Sequence, residues 1–322
     1  MNHRCLPAFV LPYLDTAEMR RLQHINMNCG MNYTSYPLFS SAARAYSRYN
    51  HSLNTAVIVW HFTQSREQTL AALFHDIATP AFSHVVDFMQ GDHIQQEATE
   101  SRTASMILDS AEIMSLLEKD GIRPEAVLDY HAYPVADNDL PGLCADRLEY
   151  TLGNLIGYGF ETEEYCNAVM EDLVLCENEK GLPEIGFRSF GLAEGFALHA
   201  VRCGRVYSGD DNRFAMETLA VLLRDASEAG ILCMDDLWKD EPYVISRLEN
   251  SVFSMRWKAF TELHITYHCS AYEPGAVRTD AKKRYIDPLV RGSGRLSQGS
   301  EDVRKSIYNF LQEEYSVWLR GE

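Results

Sequence analysis

Four side chains carry the chemistry of this 322-residue sequence: His51, the adjacent pair His75-Asp76, and Asp146. Two imidazoles and two carboxylates form a mixed nitrogen and oxygen donor set. Such a set holds a divalent transition ion and leaves positions open for water and substrate. An open ion polarises a phosphoryl oxygen and acidifies water, so the chemistry to expect is hydrolysis of a phosphate ester. A lone His-Asp pair also occurs at helix ends by chance. The order His, then His-Asp, then Asp gives the pattern its weight.

These residues need elements to position them. His51 falls at the start of a helix expected from about Asn50 to Phe62, with Leu53, Val57, Ile58 and Trp60 as apolar positions. Ser65-Arg66-Glu67-Gln68 is a capping box that starts the next helix, and that helix runs through Ala71-Ala72-Leu73-Phe74 to His75-Asp76. Thr79-Pro80 stops it, because proline restricts the residue before it and has no N–H to donate. The short connection Thr63-Gln64-Ser65 favours antiparallel neighbours, which brings the two ligand-bearing ends together. Asp146 opens a later helix and closes the site from the other side. Arg48 precedes His51 by three residues and projects to the same side, where a guanidinium grips phosphate. Tyr150 lies one helical turn after Asp146 and faces the same space.

The residues around each ligand resemble those of HD-domain phosphohydrolases. Arg48-Tyr49-Asn50-His51-Ser52-Leu53 is similar to their R-F-x-H-S-L segment. His75-Asp76-Ile77-Ala78-Thr79-Pro80-Ala81-Phe82-Ser83-His84 is similar to H-D-I-G-H-x-P-F-S-H, and Asp146-Arg147-Leu148-Glu149-Tyr150 to D-R-x-D-Y. The resemblance points to the group of bacterial dGTP triphosphohydrolases and the sterile-alpha-motif/HD dNTP hydrolase. It covers residues 15 to 160, with a fainter echo at Arg284-Tyr285-Ile286-Asp287-Pro288-Leu289-Val290. It implies His51, His75, Asp76 and Asp146 as ligands of one divalent transition ion (Mn, Fe, Ni or Zn), and Arg48 as the contact to phosphate. It places Tyr150 around the substrate.

His84 and Asp87 match the P-F-S-H-x-x-D segment, where a carboxylate orients a histidine or takes a proton from water. His93 is a further candidate acid. Two departures bear on substrate. Ala78-Thr79 stands where the dNTP hydrolases carry Gly-His, and that histidine is thought to assist protonation of the leaving oxygen. Asn154 stands where they carry an acidic residue against the sugar. Both point away from efficient dNTP-to-deoxynucleoside cleavage while leaving the ligand set intact.

The expected fold is mostly α: an HD-type helical core over residues 1–230 with its motifs within 44–154, and a mixed helical extension over 231–322 packed on it. Helices are expected near 94–119, 123–131, 141–157, 161–172, 189–207 and 211–229, with a β-hairpin over 173–187 around Asn178-Glu179-Lys180-Gly181. In the last third, helices are expected at Tyr243–Asn250, Ser254–Leu263 and Asp302–Leu319. Strands are expected at Ile265–Cys269 and Tyr285–Val290, and a mobile loop over 292–300.

A net charge of −17 argues against broad nucleic-acid binding, which needs a basic surface. A small anion remains compatible, because a metal and a few arginines set the local potential. The eight cysteines form no C-x-x-C pair and read as reduced, mostly buried thiols. Leu6–Leu14 is broken by Pro7 and Pro12 and lacks a secretory pattern, so a cytoplasmic location with no membrane span is the default. The expected partner is a small phosphorylated substrate, a nucleotide first among them, and a homo-oligomer is compatible. The rival reading is an HD protein that has lost turnover and serves as a nucleotide sensor or scaffold. A second rival is an oxygenase with a second iron on His84 or His131.

Overall fold

The computed structural model describes residues 6–41, 46–89, 91 and 100–322. The described residues are mostly helical, with two small sheets among them. Its centre is an antiparallel helical pair, Arg48–Thr63 and Arg66–Phe74. Ser47 caps the first helix by accepting from the Asn50 N–H, and Asn50 returns a bond to the Ser47 N–H. Gln64, in the left-handed region at φ 50°, turns the chain, and Ser65 caps the second helix. Thr69 through Phe74 are all buried, so the second helix is enclosed on every side beyond its first turn. That enclosure explains a nearly continuous apolar run without helical alternation.

Three apolar clusters surround this pair. One joins it to helices Ala145–Gly157, Phe190–Tyr207 and Glu301–Gln312, and another buries the N-terminal turns around Val10, Met19 and Leu22. The third gathers Phe82 and Phe88 with helices Asp210–Glu228, Glu241–Glu249 and Ser254–Thr261. Residues beyond 230 therefore complete two of the three clusters.

The larger sheet runs in the order Leu173–Glu177, Pro183–Phe187, Leu289–Val290, Gly294–Arg295. The outer pairings are antiparallel and the central one is parallel. The smaller sheet pairs Thr266–Cys269 with Trp318–Gly321.

Several expected elements differ. The helix expected over 302–319 stops at Gln312, because Trp318–Gly321 is recruited as a strand by residues 266–269. The loop over 292–300 is ordered: Arg295 is held by Glu179 and Glu184, and Leu296–Gly299 forms a helical turn. The strand expected over 285–290 shrinks to Leu289–Val290. The helix expected over 123–131 is two 3-10 turns, Pro124–Ala126 and Tyr130–Ala132. The helix expected over 94–119 is described as Glu100–Asp109 and Ala111–Asp120, divided where Ser110 caps the second piece; residues 92–99 lie outside the described set. Among the described cysteines, Cys144, Cys166 and Cys203 are buried, Cys29, Cys176 and Cys269 are half-buried, and Cys233 is exposed. Among the described residues no helix is long and apolar enough to cross a membrane.

Candidate metal centre

The helical pair brings together the ends that carry His51 and His75. His51, one turn into its helix, places Nε2 3.1 Å from Nε2 of His75, which caps the end of the next helix. Asp146, in the first turn of Ala145–Gly157, reaches His51 Nε2 at 2.9 Å and His75 Nε2 at 3.7 Å. Asp76 Oδ2 lies 3.7 Å from both Nε2 atoms. The four residues named from the sequence thus converge on one point at the wall of a cavity of about 470 Å³.

The hydrogen bonds behind the rings test whether a cation fits. His75 Nδ1 faces the Ala72 carbonyl at 2.7 Å, so Nδ1 carries the proton and Nε2 presents a lone pair. His51 Nδ1 faces the Glu149 carboxylate and likewise donates. Without a cation between them, two ring lone pairs would oppose each other and two carboxylates would aim at the same place. A proton on His51 relieves this; a divalent ion relieves it fully. Rings held from behind by a carbonyl and a carboxylate are the usual arrangement of metal-binding histidines.

The electrostatics agree. Burial opposes charge on His51, but Glu149 and Asp146 outweigh it and push its pKa up to about 10. Burial alone would raise both aspartates. For Asp76 the Arg48 guanidinium, then His75 and His51, hold it well below the usual carboxylate range; for Asp146 the hydrogen bonds from His51 and His75 do so. Both carboxylates are therefore ionised at neutral pH.

Arg48 lines the cavity but is largely engaged. Its Nη1 donates to Asp76 Oδ2 at 2.8 Å and its Nε to Ser83 Oγ at 3.1 Å. The full fork onto phosphate that the spacing implied is not available while these bonds stand. Ser83 and Phe82 hold positive φ values of 53° and 62°, a strained pair kept in place by the burial of Phe82 and the Arg48 bond. Thr79 donates to Asp76 Oδ1 at 3.0 Å, so the residue standing where the dNTP hydrolases carry histidine fixes the Asp76 carboxylate.

His84 lines the cavity, and its Nδ1 pairs with Asp87 Oδ2 at 3.0 Å. Asp87 is fully buried behind it, which suits orienting His84 better than meeting substrate. Burial lowers the His84 pKa; Asp87 opposes this, and the cations Arg48 and Arg284 add to it. Tyr150 and Asn154 both line the cavity. Asn154 Nδ2 donates to the Tyr207 hydroxyl at 2.7 Å, and Tyr207 meets Tyr150 edge-on at 6.1 Å between ring centres. His93 lies outside the described residues.

Sequence reasoning missed several contributors. Glu149 is buried, accepts from His51 Nδ1 and the Tyr46 hydroxyl, and takes Asn54 Nδ2 at 2.9 Å. Its signal was present as the acidic residue three after Asp146. Tyr130 packs on the His75 ring at 5.1 Å, and Lys282 and Arg284 line the cavity from the C-terminal third. Asp137, Cys144 and Asp146 form a second close grouping. It does not fit an ion: Asp137 Oδ1 accepts from the Arg147 guanidinium at 3.1 Å, Oδ2 pairs with His131, and burial pushes the Cys144 thiol up.

No protein-family model matches the chain. In sequence it is 26% identical over 220 residues to an uncharacterised protein, YdhJ, of Bacillus subtilis, covering 68% of this chain and 66% of that one. It is 28% identical over 163 residues to the metal-dependent phosphohydrolase cns2 of Cordyceps militaris, covering 50% of this chain and 44% of that one. The chain thus spans less than two thirds of the length of these relatives. Two solved structures share the fold across nearly the whole chain. A hypothetical protein from Aquifex aeolicus superposes with a TM-score of 0.63 at 14% identity, covering 97% of this chain and 91% of that one. A phosphohydrolase from Bacteroides thetaiotaomicron superposes with a TM-score of 0.64 at 12% identity, covering 98% and 96%. One of these relatives and one of these structural neighbours carry the name phosphohydrolase, and the two solved structures show a shared fold. None of these four proteins is named as a dNTP triphosphohydrolase.

Proposed function

We propose that this chain is an HD-type metal-dependent phosphohydrolase acting on a nucleotide or related small phosphate ester. The proposed ligands are His51, His75, Asp76 and Asp146. One observation carries the reading: both imidazoles turn Nε2 inward while their Nδ1 atoms are tied to the Ala72 carbonyl and to Glu149. The relative and the structural neighbour named as phosphohydrolases support it.

A divalent ion bound there supplies Lewis acidity and a water acidic enough to serve as nucleophile near neutral pH. The chain's own residues do the rest. Glu149 and the Ala72 carbonyl fix the rings, Thr79 and Arg48 fix Asp76, and Asp137 fixes Arg147 beside Asp146. Arg48 also adds positive potential where charge grows on the phosphoryl oxygens. His84, neutral because burial and the neighbouring cations disfavour its charged form, takes a proton from the attacking water and returns it to the leaving oxygen; Asp87 holds it for this. Tyr150, Tyr158 and Tyr207 offer aromatic surface to a base or comparable ring.

The test is a metal-supplemented screen of nucleoside mono-, di- and triphosphates and simple phosphate esters, with products identified. Release of phosphate or polyphosphate from at least one is expected. No turnover with any of them, by protein that holds metal, favours the sensor reading.

A further inference from the structure

The turn that follows Asp76 cannot hold its own carbonyls. Its Ile77 and Thr79 N–H groups point backwards, to the carbonyls of Phe74 and Asp76, each at 2.9 Å. Pro80 has no N–H to offer. Ile77, Ala78 and Thr79 are buried, so their three carbonyls need partners from elsewhere in the chain.

All three find side chains. Arg21, the last residue of helix Ala17–Arg21, donates Nη2 to the carbonyls of Ile77 and Thr79, each at 2.8 Å. Trp238 ends the 3-10 turn Met234–Trp238 and donates its indole N–H to the Ala78 carbonyl at 3.0 Å. The two donors are tied to each other, because Arg21 Nη1 donates to the Lys239 carbonyl at 2.9 Å, one residue past Trp238. The Ala81 N–H donates to the Leu237 carbonyl at 2.7 Å, which fastens the far side of the turn to the same segment. The Arg102 guanidinium lies over the indole, 3.7 Å from its centre, and holds the ring from its face.

Neither Arg21 nor Trp238 lines the cavity, so any effect they have on the site passes through the turn. The path is short. Thr79, with its carbonyl held by Arg21, donates its hydroxyl to Asp76 Oδ1 at 3.0 Å. The Ala78 and Thr79 carbonyls belong to the two peptide planes that flank the Thr79 side chain. Releasing either plane lets that side chain swing off Asp76. Burial pushes the Arg21 pKa down to about 10, against Asp240, Asp76 and Glu18, so the guanidinium stays charged at neutral pH and its field reaches Asp76. Its Nε is buried without a hydrogen-bond partner, a cost that the bonds to the turn offset.

We propose that Arg21 and Trp238 are positioning residues for the metal centre: by holding the three carbonyls of the turn Ile77–Thr79 they keep Thr79 on Asp76, so that ion affinity depends on two residues that do not touch the site. The inference rests on the ligand assignment above. Linkage makes it reciprocal: an ion whose affinity depends on this clamp must act back on the clamp when it binds.

The test measures Zn²⁺ affinity by competition with a fluorescent chelator in wild type, Arg21→Ala, Arg21→Lys, Trp238→Phe and Arg20→Ala, with thermal melts to show that each is folded. Trp238→Phe keeps an aromatic ring and removes the N–H. Arg20 is exposed on the same helix, so its variant removes equal charge elsewhere. Arg21→Ala and Trp238→Phe should each weaken binding about tenfold, the lower end of what losing an outer partner of a metal ligand costs. Arg21→Lys should recover part of the loss, and Arg20→Ala should bind as wild type does. The second readout is magnetic resonance of the four tryptophan indole N–H groups in the wild-type chain. The Trp238 signal, identified by its loss in Trp238→Phe, should exchange slowly with solvent and shift when Zn²⁺ is added. It reads the wild-type chain, so it decides the matter even where Arg21→Ala fails to fold. Wild-type affinity in folded Arg21→Ala and Trp238→Phe, an equal loss in Arg20→Ala, or an indole signal that Zn²⁺ leaves unmoved overturns the inference and leaves the ligand assignment standing. Absence of Zn²⁺ binding by wild type overturns the ligand assignment and this inference with it.

Discussion

Glu149 stands directly behind His51, its Oε2 on Nδ1 of the ring and its Oε1 on Asn54 Nδ2. Both residues are buried, so the carboxylate fixes the ring's orientation and makes Nε2 the stronger donor. Glu149→Gln is expected to weaken metal affinity by about 10–100-fold, the usual cost of losing such a partner. Competition with a fluorescent chelator measures it. Unchanged affinity in a folded Glu149→Gln protein contradicts the role given to this pair.

The pair His84 and Asp87 makes a kinetic prediction. His84→Ala should lower kcat by about 100-fold or more, the lower end of what a positioned acid–base group contributes, with metal content unchanged. The pH profile carries a sign. Burial lowers the His84 pKa and Asp87 partly restores it, so activity should fall on an acid limb below the ordinary histidine value of 6.5. Asp87→Asn removes the restoring partner and should move that limb to still lower pH. A limb that stays in place separates Asp87 from His84.

Glu241 supplies a stability test away from the ligands. It is buried, accepts from the Asn26 N–H at 3.0 Å and the Tyr33 hydroxyl at 2.7 Å, and burial pushes its pKa up to about 7 from 4.5. The folded chain then holds a proton that the unfolded chain has lost between these values. Stability from this group therefore falls as pH rises from about 4.5 through about 7, by up to about 3 kcal/mol. Urea unfolding across that window should show the slope, and Glu241→Gln should flatten it. An equal slope in both proteins contradicts the assignment.

The outline of the site was legible because it is local. Ser65 announces one helix start, the apolar spacing from Asn50 shows the other helix although its Ser47 cap was not read, a three-residue connection forces them antiparallel, and His51 and His75 fall at the ends that meet. The hairpin over 173–187 and the long helices after it follow from the same short-range signals. What was missed is non-local. Gln312 ends its helix because residues 318–321 pair with a strand some fifty positions earlier, and residues 292–300 are ordered because Arg295 meets Glu179 and Glu184. Lys282 lies outside every motif, and Arg284 opens the fainter echo at 284–290, yet nothing local in either places it at the cavity, which chain contacts far apart in sequence bring about. Glu149 sat inside a recognised segment, but nothing in its spacing said that it holds His51 rather than a solvent-facing partner.

The central claim is that His51, His75, Asp76 and Asp146 hold an ion on which phosphate release depends. The most direct measurement reads both quantities in one preparation: metal per chain by elemental analysis and phosphate release from the best substrate, after chelation and stepwise return of Mn²⁺, in wild type and Asp76→Ala. Wild type should return to about one ion per chain, with activity rising in proportion, and Asp76→Ala should lose both. Full occupancy in Asp76→Ala, or undiminished phosphate release by fully chelated wild type, contradicts the account.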